Sequence, residues 1–212
     1  MEIKVERREV KNCRIVVNPD ESVKIIAPYG FDVNSFIERK KPWIEKKIRE
    51  IKELVKEFDE RRDYFIMNGS FYRLKYGDAL RMENGTIFAR NTKEIEKWIR
   101  RNLKEEMLEK VRFYSRLLGV RYGKVYIRKQ KTKWASCSSK GNLSFNVILA
   151  ALPEKLKDYV VIHELSHLIV PKHNKRFWGI VSQYYPKYKE AEEELKRYWF
   201  GIERNNVWNM LR

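Results

Sequence analysis

The apolar positions of the first thirty residues fall at every second place, at Ile3/Val5, Ile15/Val17 and Val23/Ile25, with Lys11-Asn12 and Asn18-Pro19-Asp20 between them. That alternation predicts three short strands in a small antiparallel sheet. From 32 to about 62 the period becomes helical, through Phe36, Ile37, Trp43, Ile44, Ile48, Ile51, Leu54 and Val55. Pro42 lacks the amide hydrogen that a helix interior uses, which predicts a division into two helices there. Strands resume at 64–67, 71–76 and around 82–89, where Asn84-Gly85 between apolar residues is a hairpin signal. Over 92–118 a stripe of Ile95, Trp98, Ile99, Leu103, Met107 and Val111 marks one long amphipathic helix.

Beyond Gly119 two strands are expected, at 124–130 and 142–148, joined by the polar stretch 131–141. A helix apolar on nearly every side then runs from Pro153 to about Ile169, where Pro171 prevents continuation. Helices at about 174–184 and 186–200 follow. The pattern is that of an α+β protein, with an N-terminal β-rich and helical part over 1–118 and a second part over 119–212.

The chain holds three histidines, and all lie within eleven residues, as His163, His167 and His173. Residues four apart on a helix project from one face, so His163 and His167 can share a cation. Pro171 supplies the break that lets His173 turn back toward them. Three protein ligands leave a fourth position for water, which is how a catalytic zinc differs from a closed structural one. Glu164, beside the first ligand in this HExxH pattern, is placed to take the proton of the attacking water. The expectation is one zinc ion per chain and hydrolysis of a peptide bond in a protein or peptide substrate. A zinc hydrolase of another substrate, and a nucleic-acid-binding module with a structural or vestigial zinc site, are the rival readings.

These segments resemble the YgjP-like metallopeptidases, relatives of the SprT-like and WLM zinc proteases. The likeness is carried by 131–146 with Trp134, Ser136 and Cys137, by the helix 158–167, and by 173–178 with His173, Phe177 and Trp178. It implies a zincin-like core with His163, His167 and His173 as metal ligands and Glu164 as catalyst. Ala135 departs from the glycine common in relatives. The ligand spacing also matches the metzincins, but Val170 stands where those enzymes have glycine.

Asn142, Ser144 and Asn146 alternate with Leu143, Phe145 and Val147, so the polar set faces either a substrate cleft or water. The strand 142–148 is expected to lie beside the cleft and to pair with an extended substrate backbone. Trp134 is either a core aromatic or a member of that cleft.

Charge adds a further partner class. With 46 Lys and Arg against 29 Asp and Glu the net charge is +17, and ten basic residues with no acidic one fall between Lys110 and Pro153. Tyr114, Tyr122, Tyr126 and Trp134 are interleaved with them, a combination suited to nucleic acid, although ion-pair-rich, heat-adapted surfaces share the composition. Cys13 and Cys137 are too far apart in sequence for a metal-binding CxxC spacing. No apolar run approaches the roughly 20 residues that span a bilayer, and the charged, alternating N-terminus lacks the core of a secretory signal, so a cytoplasmic location is expected.

Overall fold

Alternation in the first thirty residues produces three strands in the computed structural model, which describes residues 2–211. These are β1 (Ile3–Arg7), β2 (Arg14–Val17) and β3 (Val23–Ala27). Their sheet is mixed, not antiparallel throughout. β3 lies in the centre, antiparallel to β2 and parallel to β1, so that Ile25 stands opposite both Ile15 and Val5. Alternation dictates which side chains face the core but not the direction of a neighbour.

The expected break at Pro42 does not occur, and α1 (Val33–Asp59) is one helix with Pro42 inside it. Pro42 and Glu38, the residue whose carbonyl loses its bond, are both exposed, so water can serve that carbonyl. Apolar residues on either side of Pro42, Val33 and Ile37 before it and Ile44 and Ile48 after it, join one small core with β3. That common surface holds both halves in line.

A second sheet, in the order β4-β5-β7-β6, contains β4 (Phe65–Met67), β5 (Ser70–Tyr76), β6 (Arg81–Glu83) and β7 (Thr86–Ala89). The β6–β7 turn places Asn84 and Gly85 at φ of 47° and 71°, the left-handed pair that a two-residue hairpin requires. α2 (Thr92–Leu118) begins with a reciprocal cap: Asn91 Oδ1 accepts from Glu94 N at 3.0 Å, and Glu94 Oε2 accepts from Arg90 N at 2.7 Å.

The third sheet differs most from expectation. It contains β8 (Val125–Arg128), β9 (Ala135–Cys137) and β10 (Leu143–Asn146), in the order β8-β10-β9. β9 forms within the stretch expected to be a plain polar connection. β10 stops at Asn146, whose side chain caps a 3-10 turn over Val147–Ala151. β10 is central, parallel to β8 and antiparallel to β9, so both of its edges are used. It therefore has no edge left for a substrate strand, and the unpaired edge on that side belongs to β9.

Four helices close the chain: α3 (Glu154–Ser166), α4 (Lys175–Tyr184), α5 (Tyr188–Glu203) and the unanticipated α6 (Asn206–Leu211). Trp208 of α6 is fully buried, stacks on Phe65 and donates its indole N–H to the Ile66 carbonyl at 3.0 Å. The main core runs from Phe58 to Leu211 and crosses position 118, because the buried stripe of α2 packs on α3. Among the described residues, no helix is long and apolar enough to cross a membrane.

Candidate metal centre

α3 buries Tyr159, Val160, Val161, Ile162 and Leu165 around most of its circumference, so its ionisable groups have to be satisfied inside the protein. Lys157 is one such group: its ammonium donates to Asn68 Oδ1 at 2.5 Å and to both Glu106 carboxylate oxygens at 2.9 and 2.8 Å. Half a helical turn onward stands Tyr159, and one turn beyond that His163.

His163 and His167 leave the same face of α3. The helix ends at Ser166, and tight turns over Leu168–Val170 lead to Pro171. Asn174 then caps α4 by accepting from Phe177 N at 3.0 Å, which fixes His173 immediately before that helix. His163 Nε2 and His173 Nε2 lie 3.0 Å apart, and one ligand atom from each of the three histidines falls within 4.8 Å of the others. Two nitrogens bound tetrahedrally at about 2.0–2.1 Å would be separated by about 3.3–3.4 Å. Three imidazoles gathered this closely could hold one metal ion.

Aromatic rings hold the cluster. Phe177, fully buried, lies 5.0, 4.6 and 4.7 Å by ring centroid from His163, His167 and His173. Trp178 stacks on His173 at 5.7 Å and on Tyr188 at 5.1 Å. Tyr159 Oη sits 3.4 Å from His163 Nδ1, so the second ring nitrogen has a partner while Nε2 faces the cluster. The spacing 159, 163, 167 on one helix face was the available sequence signal for Tyr159, and sequence reasoning missed it.

Glu164 is 7% exposed. Burial pushes its carboxyl up to about 7, against the opposing pull of the Lys133 ammonium and the Cys137 backbone N–H. Burial also holds His163 down to about 3, reinforced by the neighbouring His167 and His173. His167 is lowered for the same two reasons, burial and His173.

Two cavities meet at this point and share Ala135, His163 and Glu164. One, of about 520 Å³, is apolar, with Trp134, Val160, Leu195, Trp199 and Phe200. The other, of about 640 Å³, is more polar and includes Ser136, Cys137, Ser138, His167 and His173. β9 forms a wall of both. Trp134 is therefore in the cleft, packed edge-on against Trp199 at 5.0 Å.

Asn142, Ser144 and Asn146 line neither cavity. Asn142 Oδ1 accepts from Lys124 N at 2.8 Å, and its own N–H donates to Ser138 Oγ at 3.1 Å. Ser144 is half-buried on central β10, opposite Ser136. Asn146 is 0% exposed, and its Nδ2 donates to the carbonyls of Gln130 and Lys133 at 2.8 Å each. The Asn142 and Asn146 side chains thus tie the sheet to its own connections.

Two of the ten clustered basic residues are neutralised locally, Lys110 by Glu154 and Asp158 and Lys129 by Glu96. The Arg128 guanidinium covers the Tyr126 ring at 5.0 Å, and Tyr114 packs edge-on against Phe113.

Two histidines from one helical turn, a third brought back by a proline break, and a buried carboxylate beside them make the donor set of a metal-dependent hydrolase. The chain belongs to the YgjP-like metallopeptidase domain family, whose pattern it matches over residues 11–198, and it is accordingly a metallopeptidase. Among solved structures, the metallopeptidase zymogen of Pyrococcus abyssi abylysin is 29% identical, with 42% of this chain and 90% of that one covered at a TM-score of 0.40. The metallopeptidase zymogen of Methanocaldococcus jannaschii jannalysin is 26% identical, with 42% and 91% covered at a TM-score of 0.38. No curated protein is similar enough to count as a match.

Proposed function

We propose that the protein is a zinc peptidase in which His163, His167 and His173 hold one ion and Glu164 is the general base. The observation that carries this reading is the convergence of three imidazoles on a point beside a carboxylate that is itself buried against β9. Zinc, when bound there, would act as a Lewis acid on the scissile carbonyl and favour ionisation of a nearby water.

The protein's own groups have separate tasks. Glu164 accepts a proton from the attacking water and delivers it to the departing amine, a two-way transfer suited to a buried carboxylate beside the histidine cluster. Tyr159 holds the His163 ring through Nδ1. The edge of β9 that β10 leaves unpaired, apart from the Cys137 N–H that faces Glu164, is where an extended substrate adds its main chain, which gives affinity with little sequence demand.

The test is metal content joined to turnover. Wild type should bind one zinc per chain and cleave an unstructured protein such as casein. Glu164→Gln should keep the metal and lose cleavage; His167→Ala should lose stoichiometric metal. Undiminished turnover by Glu164→Gln, or a full metal equivalent in His167→Ala, would overturn the assignment.

A further inference from the structure

The apolar cavity beside the metal centre does not end at its own wall. Lys196 and Phe200 of α5 belong to it and equally to a third depression of about 420 Å³, between α1 and α5. The floor of that depression is apolar, formed by Val17 of β2, by Trp43, Ile51 and Leu54 of α1, and by Phe200. Trp43 is 43% exposed there, a large ring left partly in water and outside the small core that joins α1 to β3. The rim has both signs of charge: Lys47 pairs with Glu50 at 2.6 Å, and Glu193 and Lys196 stand across from them. A mixed rim does not select a charged ligand, whereas an apolar floor selects apolar side chains.

Resting on the peptidase reading, we propose that this groove is a second binding region for the polypeptide whose bond lies at the metal. It takes apolar side chains of an extended stretch that leaves the catalytic cavity over Phe200. The continuity argues for this occupant, since a chain lying in the apolar cavity meets Phe200 and Lys196 as its exit and the α1 groove directly beyond them. A stretch that occupies both depressions has to run over Phe200 and Lys196, a path that suits an extended chain. The preferred substrates are unfolded or extended polypeptides with spaced apolar residues, and the N-terminal sheet and α1 become part of substrate selection.

The experiment compares two fluorescent peptides with the same cleavable centre, extended at both ends by about ten residues, one with spaced Leu and Phe and the other with Ser and Gly only. Binding is measured by polarisation on zinc-loaded Glu164→Gln, alone and combined with Trp43→Ala or Leu54→Asp, with thermal melting to confirm folding. Cleavage of both peptides is measured with the otherwise unaltered protein. The apolar peptide should bind at least tenfold tighter, and both groove substitutions should remove most of that advantage. In turnover the advantage should lie in KM, with kcat for the two peptides within about twofold. Equal binding of the two peptides, or an advantage that survives both substitutions in folded protein, would overturn the groove. Trp43-dependent binding without cleavage by wild type would support the groove and sink the peptidase reading instead.

Discussion

Asn146 offers the sharpest test of how the fold builds the site. Its side chain is completely buried, and its two amide hydrogens tie β10 to the 130–133 loop leading to β9, through the Gln130 and Lys133 carbonyls at 2.8 Å. Its Oδ1 accepts weakly from Ile148 N and Gln130 N, both at 3.4 Å. Asn146→Ala deletes both strong bonds. At about 0.5–1.5 kcal/mol per bond, plus part of the larger cost of carbonyls left without donors, the expected loss is about 2–3 kcal/mol. For a chain of this length that corresponds to a fall of about 4–12 °C in melting temperature.

Asn146→Asp is expected to be worse above neutrality. It replaces both donors by acceptors facing two carbonyl oxygens and introduces a charge into a buried space. Such a carboxyl has a raised pKa in the folded state, so the folded form binds more protons. The deficit relative to Asn146→Ala is then largest at high pH and shrinks as pH falls. Urea unfolding of the three proteins at about pH 5.5 and 8 reads both effects. Since the metal ligands lie on and beside α3 and α4 while the clip serves β9, zinc content should survive in Asn146→Ala and peptide KM should rise. The reasoning fails if Asn146→Ala stays within about 0.5 kcal/mol of wild type, or if the aspartate variant is no less stable than the alanine variant at pH 8.

Two further outcomes follow from buried charge. Glu106→Ala should cost about 3 kcal/mol, because it leaves the Lys157 ammonium, 2% exposed, with Asn68 Oδ1 as its remaining acceptor among the described residues. Lys157→Met removes the charge and keeps the stem, so it should fall within about 1 kcal/mol of wild type, and equal losses in the two variants would contradict this account. In metal-free protein His163 is lowered from 6.5 to about 3, so its contribution is full above 6.5 and is lost as pH falls toward 3. Glu164 is raised from 4.5 to about 7, so its contribution is full below 4.5 and is lost as pH rises through 7. The two oppose each other between, leaving His163 to steepen the acid limb below pH 4.5. Urea midpoints of chelated protein should show that limb flattened in His163→Gln, and an unchanged limb would refute the assignment.

What the sequence disclosed and what it withheld divide along the range of the forces involved. The metal centre was legible because its geometry is local: His163 and His167 are four positions apart across one helical turn, Pro171 lies in the short connection after that helix, and Asn174 caps the next. α2 was legible for the same reason, its stripe and its Asn91 and Gly119 caps all lying within one segment. β9 was not, since three residues amid lysines and serines have no periodicity, and they become a strand only because β10 presents them an edge and Asn146 gathers the loop before them. Likewise, alternation along 142–148 identifies two faces but cannot count neighbours, so a central strand looks like an edge strand. The polar positions of β10 do matter to the cleft, but through the backbone they hold. A buried amide that fixes two carbonyls has the same sequence signature as one that greets a substrate; only the partner distinguishes them, and that partner lies thirteen and sixteen residues away.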